Sequence, residues 1–298
     1  MALPSYASPV QRTYYYAYLF FCGVVFFFLV APLIAIVPIS FSVSPFMVFT
    51  DGMLAWPPDP EAWSLRWYKN MIGDCSADVV SSTVPCSTKW MVGTVNSFYI
   101  GIIATVIATA LGTLAALGLS RPHMPYKGLI MAILISPMIV PLIITAAGMF
   151  FFYARINLVY TFTGVILAHV ALATPFVVIT VTATLVGFDM NMVKAAQSLG
   201  AKPMRTFFKV IMPLILPGII SGALFAFITS FDEVVIVMFM ASIDQLTIPK
   251  QMWAGIRQEI SPVILCMATC LVVLSIVLLT TVELLRRRSE KLRGIKAR

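Results

Sequence analysis

Two adjacent carboxylates, Asp232 and Glu233, stand between Thr229-Ser230-Phe231 and Val234-Val235-Ile236 inside an apolar run from 213 to 240. An acid near the middle of a membrane helix costs about 2.5–3.5 kcal/mol on insertion scales, so such groups face a bundle interior, pair, or line a wet cavity. On a continuous helix, neighbours in sequence point about 100° apart and occupy different faces. One reading makes Asp232, with Phe227 and Phe231 close by, a station on a route through the bundle, where negative charge and aromatic faces in low dielectric suit a positively charged group. The other makes the pair a packing device, hydrogen-bonded to a neighbouring helix or salt-bridged to another subunit. Both readings stay open, since one acid suffices for each.

Other chemistry is missing by motif. No Gly is followed by Lys, so the phosphate-cradling G-x-x-x-x-G-K-[ST] loop is absent and any ATP and Mg must be bound by a partner chain. His123 and His169 have no partners at metal spacing, and no Ser-His-Asp or Cys-His constellation stands out. The chain reads as no enzyme in itself, with no catalytic, cofactor-binding or metal residue. His169, inside an apolar run, reads as one end of an interhelical hydrogen bond.

The elements that must position these groups are membrane helices. Of 298 residues, 60% are apolar and 11% charged, and the mean hydropathy is +0.96, which excludes an ordinary soluble domain. Apolar stretches at 17–43, 92–119, 129–153, 162–187, 213–240 and 261–285 are each long enough to cross a hydrocarbon core of about 30 Å. The expectation is an all-α integral membrane protein with six transmembrane helices. Its parts are an N-terminal arm (1–16), a transmembrane domain (17–285) with an outer loop at 44–91, and a basic tail (286–298). Pro137, Pro141, Pro175 and Pro217 interrupt spans three, four and five, where bends suit either a gate or a static bundle.

Positive charge orients the bundle. Of 20 Lys and Arg, 14 fall in the arm, the loops near 120–128 and 188–212, and the tail, against 6 in the opposite loops, which puts both termini in the cytoplasm. The tail then reads as an anchor against anionic lipid, not as a nucleic-acid arm. All five Trp, at 56, 63, 67, 90 and 253, fall in outer segments, as interfacial indoles should. Trp63, Trp67 and Met71 recur at steps of four, which predicts either a short amphipathic helix on the outer leaflet or a lid over the bundle. Cys75 and Cys86 share the outer loop and form a candidate disulfide in an oxidising compartment.

The cytoplasmic segment 189–213 is punctuated like a helix pair. Asp189 or Asn191 caps a start, and Met192, Ala195, Ala196 and Leu199 share one small apolar face. Gly200 supplies a left-handed stop and Pro203 opens a second turn. So short a helix needs a docking partner, unless it is a surface connector between spans four and five.

Here the chain resembles the permease subunits of ABC importers, whose cytoplasmic signature reads E-A-A, three residues, G, nine residues, I-x-L-P. This sequence has Lys194-Ala195-Ala196, Gly200 and Val210-x-Met212-Pro213 at the same spacing, with a base where the family has an acid. The resemblance runs through Ser64-Leu65-Arg66-Trp67-Tyr68, Asn96-Ser97, Pro137 with Pro141, Ala173-x-Pro175-Phe176, Ser230 to Val234 and Met252 to Pro262. It is closest to the spermidine/putrescine branch. It implies a type I importer permease fold in the bacterial inner membrane, a second permease subunit, a cytoplasmic ATPase dimer that binds ATP and Mg, and a periplasmic solute-binding protein. It also implies an ATPase-docking coupling helix carried by Lys194, Ala195, Ala196, Leu199, Gly200, Pro203 and Pro213. The alternatives are a permease for an opine or another small amino compound and, in a different class, a non-transporting membrane sensor or assembly protein. An ion-coupled secondary transporter is disfavoured, because no internal repeat stands out.

Overall fold

A computed structural model describes residues 8–74, 88–121, 123–189, 191–258 and 261–292. Among them the regular structure is helical apart from one isolated antiparallel bridge, Ser42 to Trp63. In chain order the helices are α1 (Pro9–Ile39), α2 (Asp51–Leu54), α3 (Arg66–Met71), α4 (Lys89–Leu119), α5 (Lys127–Ile139), α6 (Leu142–Arg155), α7 (Phe162–Val186), α8 (Asn191–Ser198), α9 (Pro203–Thr206), α10 (Met212–Phe231), α11 (Val235–Met240), α12 (Ile248–Gln258) and α13 (Val263–Leu292). Among the described residues five stretches are long and apolar enough to cross a membrane as they stand: α1, α4, α7, Pro203–Phe231 and the Val263–Thr281 part of α13.

Span three departs from expectation. It is a broken pair, α5 and α6, meeting at 102°. Val140 is extended at φ −68°, ψ 136°, and Pro141 follows at φ −52°, ψ 127°. A proline disfavours helical backbone at the residue before it and has no N–H to continue the ladder. Pro175 and Pro217, by contrast, sit inside α7 and α10 without ending either helix.

The chain forms two compact units, one of residues 1–87 with 255–283 and one of 88–254 with 284–298. In the first, none of the described side chains of α1 is buried, although its mean hydropathy over the best window is 2.9. A helix apolar on all sides with no residue fully buried is one suited to a lipid environment. The segment after it folds back on itself: Ser64 N–H donates to Phe41 O at 2.7 Å and Val43 N–H to Ala62 O at 3.1 Å. Trp67 is fully buried, and its indole N–H donates to Ser42 O at 2.8 Å. Tyr68 Oη and Ser40 Oγ lie 2.7 Å apart, and burial pushes that phenol above its ordinary range against the lowering pull of Ser40. The expected amphipathic helix with Trp63, Trp67 and Met71 on one face is therefore not what forms. Helix begins only at Arg66, Trp67 turns inward, and Trp63 is left 41% exposed.

In the second unit α4, α7 and α10 pack on one another. Without water to drive helices together in lipid, close approach through small residues does the work. Gly218 and Gly222, four apart on α10, seat against α7. A Cβ at Gly222 would lie 2.5 Å from Thr180 Oγ1 and 3.1 Å from Val177 Cα, and one at Gly218 would collide with Thr184. Gly112 on α4 meets Val177 Cβ at 2.6 Å in the same test. Between α7 and α10, His169 Nδ1 and Ser230 Oγ are 2.8 Å apart, both buried, which is the interhelical bond the sequence suggests.

Candidate functional site

The knuckle between α7 and α10 is built by local rules. Asp189 Oδ1 accepts the Asn191 N–H at 2.9 Å, which fixes the entry to α8. At the exit Ala201 N–H donates to Ala196 O at 3.0 Å and Gly200 N–H to Gln197 O at 2.9 Å. This six-to-one and five-to-two pairing is a Schellman stop, and Gly200 carries its left-handed residue at φ +77°. A Cβ there would touch nothing within 4 Å, so the glycine answers a backbone demand and not a lack of room. No residue of α8 is buried, and Leu199 is 89% exposed. Lys194, Ala195, Gly200, Pro203 and Pro213 are exposed as well, with Ala196 half-buried.

Beyond Pro203 the backbone widens. Residues Phe207–Ile211 form a π turn, and Met212 N–H reaches Phe207 O five residues back. Pro213 explains the widening, since its missing N–H and its ring are incompatible with an ordinary bond to Lys209 O, and a π turn absorbs such a mismatch. The site thus runs unbroken from the knuckle into α10.

At the far end of α10 the acidic pair is not on a continuous helix, contrary to the sequence reading. The helix stops at Phe231, Asp232 sits at φ −90°, ψ 0°, and α11 restarts at Val235. The break separates the two acids. Glu233 is 7% exposed, and its Oε1 accepts the Ile236 N–H at 2.8 Å, capping α11. Asp232 is exposed. Together with Leu142, Ile228, Thr229, Val234 and Val235 the two line a cavity of about 360 Å³. Leu142 opens α6, so the break in span five and the bend in span three meet at one place. The negative end of the α10 dipole points there too.

Phe227 and Phe231 belong to a different contact. Their ring centroids are 5.3 Å apart, Phe231 lies 5.2 Å from Phe98, and the edge of Phe227 covers Gly101 on α4. The structure places them in an aromatic cluster between α4 and α10. Cys75 and Cys86 lie outside the described residues.

One arrangement has no signal in periodicity. Asn96 Nδ2 donates to both Asp244 O at 2.8 Å and Leu246 O at 2.9 Å, and Ser97 Oγ accepts the Ile248 N–H at 2.9 Å. Lys250 Nζ closes the same loop onto Ala241 O at 2.9 Å, and burial lowers its ammonium from its ordinary range. An amide that donates twice to one loop clamps it to α4.

Helices of this length and apolarity make the chain a multi-pass integral membrane protein. Residues 108–291 match the binding-protein-dependent transport system inner membrane component family, and the chain belongs to that family. It is 28% identical to the "Spermidine/putrescine transport system permease protein PotC" of Haemophilus influenzae, over 90% of this chain and 96% of that one. It is 29% identical to the "Putrescine transport system permease protein PotI" of Escherichia coli K12, over 82% and 81%. Its fold is similar to a "bacterial ABC transporter involved in the import of the acidic polysaccharide alginate", with TM-score 0.69, 15% identity, and coverage of 96% and 99%.

Proposed function

We propose that this permease passes polyamines across the inner membrane, receiving them from a periplasmic binding protein, working beside a second permease and driven by a separate cytoplasmic ATPase dimer that binds ATP and Mg. The observation that carries the substrate class is Asp232. It is an open carboxylate in a cavity at the negative end of α10, with no hydrogen bond to its oxygens among the described residues. A carboxylate and a helix C-terminus at one break favour a cation, and the spermidine and putrescine permeases among the relatives agree in chemical class. In this reading Glu233 keeps the break open by capping α11.

The segment 189–213 is the coupling element, because it presents an unburied helix, a rigid stop and exposed Lys194, Lys202, Arg205 and Lys209. Both termini face the cytoplasm on the distribution of basic residues. Uptake of labelled putrescine and spermidine in cells whose own polyamine importers are deleted, competed by an aminobutyrate and by an opine, tests the substrate class. Uptake that only the opine or aminobutyrate competes would overturn the polyamine reading while leaving the permease itself in place.

A further inference from the structure

A second cavity, of about 540 Å³, lies in the segment after α1 and is lined by Phe41, Trp63, Ser64, Leu65, Arg66 and Lys69. Its size falls within the range of about 300–1,000 Å³ common for small-molecule sites. Two of its six lining residues are cationic and two are aromatic. The Arg66 guanidinium is stacked 4.4 Å above the Trp67 ring, and Trp67 is itself immobilised by burial and by its bond to Ser42 O. The fork is thereby held in place, yet it is poorly used. Among the described residues its one hydrogen bond runs from Nη1 to Val43 O at 3.4 Å. A guanidinium fork matches phosphate oxygens best.

We propose that this cavity is a binding site for the phosphate of an anionic phospholipid, with Arg66 and Lys69 on the phosphate and Trp63 and Leu65 against the glycerol and the start of the acyl chains. A lipid is favoured over a free anion by the rim. Trp63 is 41% and Leu65 58% exposed, an apolar edge that a soluble ion would leave wet and that the headgroup boundary of a bilayer would cover. The site rests on membrane location alone and not on the transported solute. It also explains why the predicted amphipathic helix is replaced by a short helix with its Trp67 turned inward: the buried indole is the platform that aims Arg66.

The test is lipid retention by the purified full-length chain in detergent, counted by native mass spectrometry against phosphatidylglycerol, phosphatidylcholine of the same acyl chains, and inorganic phosphate. Wild type is expected to keep one phosphatidylglycerol that phosphatidylcholine does not replace. Arg66→Gln should weaken that binding at least tenfold and Lys69→Gln at least threefold, while the basic tail, intact in both, continues to attract anionic lipid equally. Lys69 is exposed and outside the guanidinium stack, so Lys69→Gln stays informative if Arg66→Gln melts early. Equal retention in wild type and Lys69→Gln, equal retention of the two lipids, or displacement by equimolar inorganic phosphate would each overturn the lipid site.

Discussion

Replacing Asp232 and Glu233 one at a time separates transport from stability, because the break at the end of α10 gives the two acids different jobs. The Asp232 carboxylate is exposed in the cavity and accepts no hydrogen bond among the described residues, so Asp232→Asn breaks none. The change in stability should stay within about 0.5 kcal/mol, as for surface substitutions. Its charge, acting on an ammonium about 4 Å away, is worth roughly 1 kcal/mol at the dielectric of water and roughly 4 kcal/mol at an effective value of about 20. At tenfold per 1.4 kcal/mol, uptake of putrescine falls by between about fivefold and about a thousandfold. Glu233→Ala removes the bond to the Ile236 N–H instead. A lost cap costs about 0.5–2 kcal/mol, which lowers the midpoint by about 1–8 °C at about 2–4 °C per kcal/mol. Glu233→Gln retains an acceptor oxygen and should lose less. Labelled uptake in cells reads the first effect. Thermal unfolding followed by a thiol-reactive dye reads the second, since Cys266 is fully buried until the fold opens. Undiminished uptake by Asp232→Asn, or a Glu233→Ala protein that melts with wild type while failing to transport, would refute the division of roles.

At the knuckle, Gly200→Val places a β-branched residue at φ +77° and costs about 1–2 kcal/mol of local geometry. It should therefore reduce both uptake and copurification of the ATPase, whereas Gly200→Asn, which tolerates that geometry, keeps most of both. Gly222→Val drives a side chain into Thr180 and the α7 backbone and should destabilise by about 1–3 kcal/mol. Gly118→Ala, where a Cβ meets nothing within 4 Å, is expected to match or exceed wild type, and dye-based melting distinguishes the two. Asn96→Ala orphans the Asp244 and Leu246 carbonyls at about 1–3 kcal/mol. Asn96→Asp, which sets a charge against them, should be worse, with faster amide exchange in 244–248 as the readout.

Helix positions and the punctuation of residues 189–203 were legible because they rest on local rules. Hydropathy over about 20 residues marks a span, and the Asp189, Gly200 and Pro203 signals act within a few residues of themselves. The acidic pair was visible as an anomaly, but its geometry was not, since nothing in Phe231-Asp232-Glu233-Val234 states that the helix stops there. That stop depends on Glu233 finding the Ile236 N–H and on α11 packing against α6. Trp67 misled for a related reason. A tryptophan between two spans is equally consistent with the membrane interface and with burial, and Ser42 O, 25 residues upstream, decides for burial. The Asn96 clamp joins groups about 150 residues apart, a range that spacing does not reach.

The continuity of Pro203–Phe231 has a mechanical corollary. At 1.5 Å per residue a helix of 29 residues is a shaft of about 43 Å with the Gly200 knuckle at its foot and Asp232 at its tip. Its upper part is keyed to α7 by Gly218 and Gly222. Its foot carries the widened turn at Phe207–Ile211 and Pro213, and a π turn and a proline are ordinary places for a helix to bend. A tilt of about 5° about Phe207–Ile211 sweeps the tip, about 30–36 Å away, through about 3 Å, comparable to the width of an ammonium group.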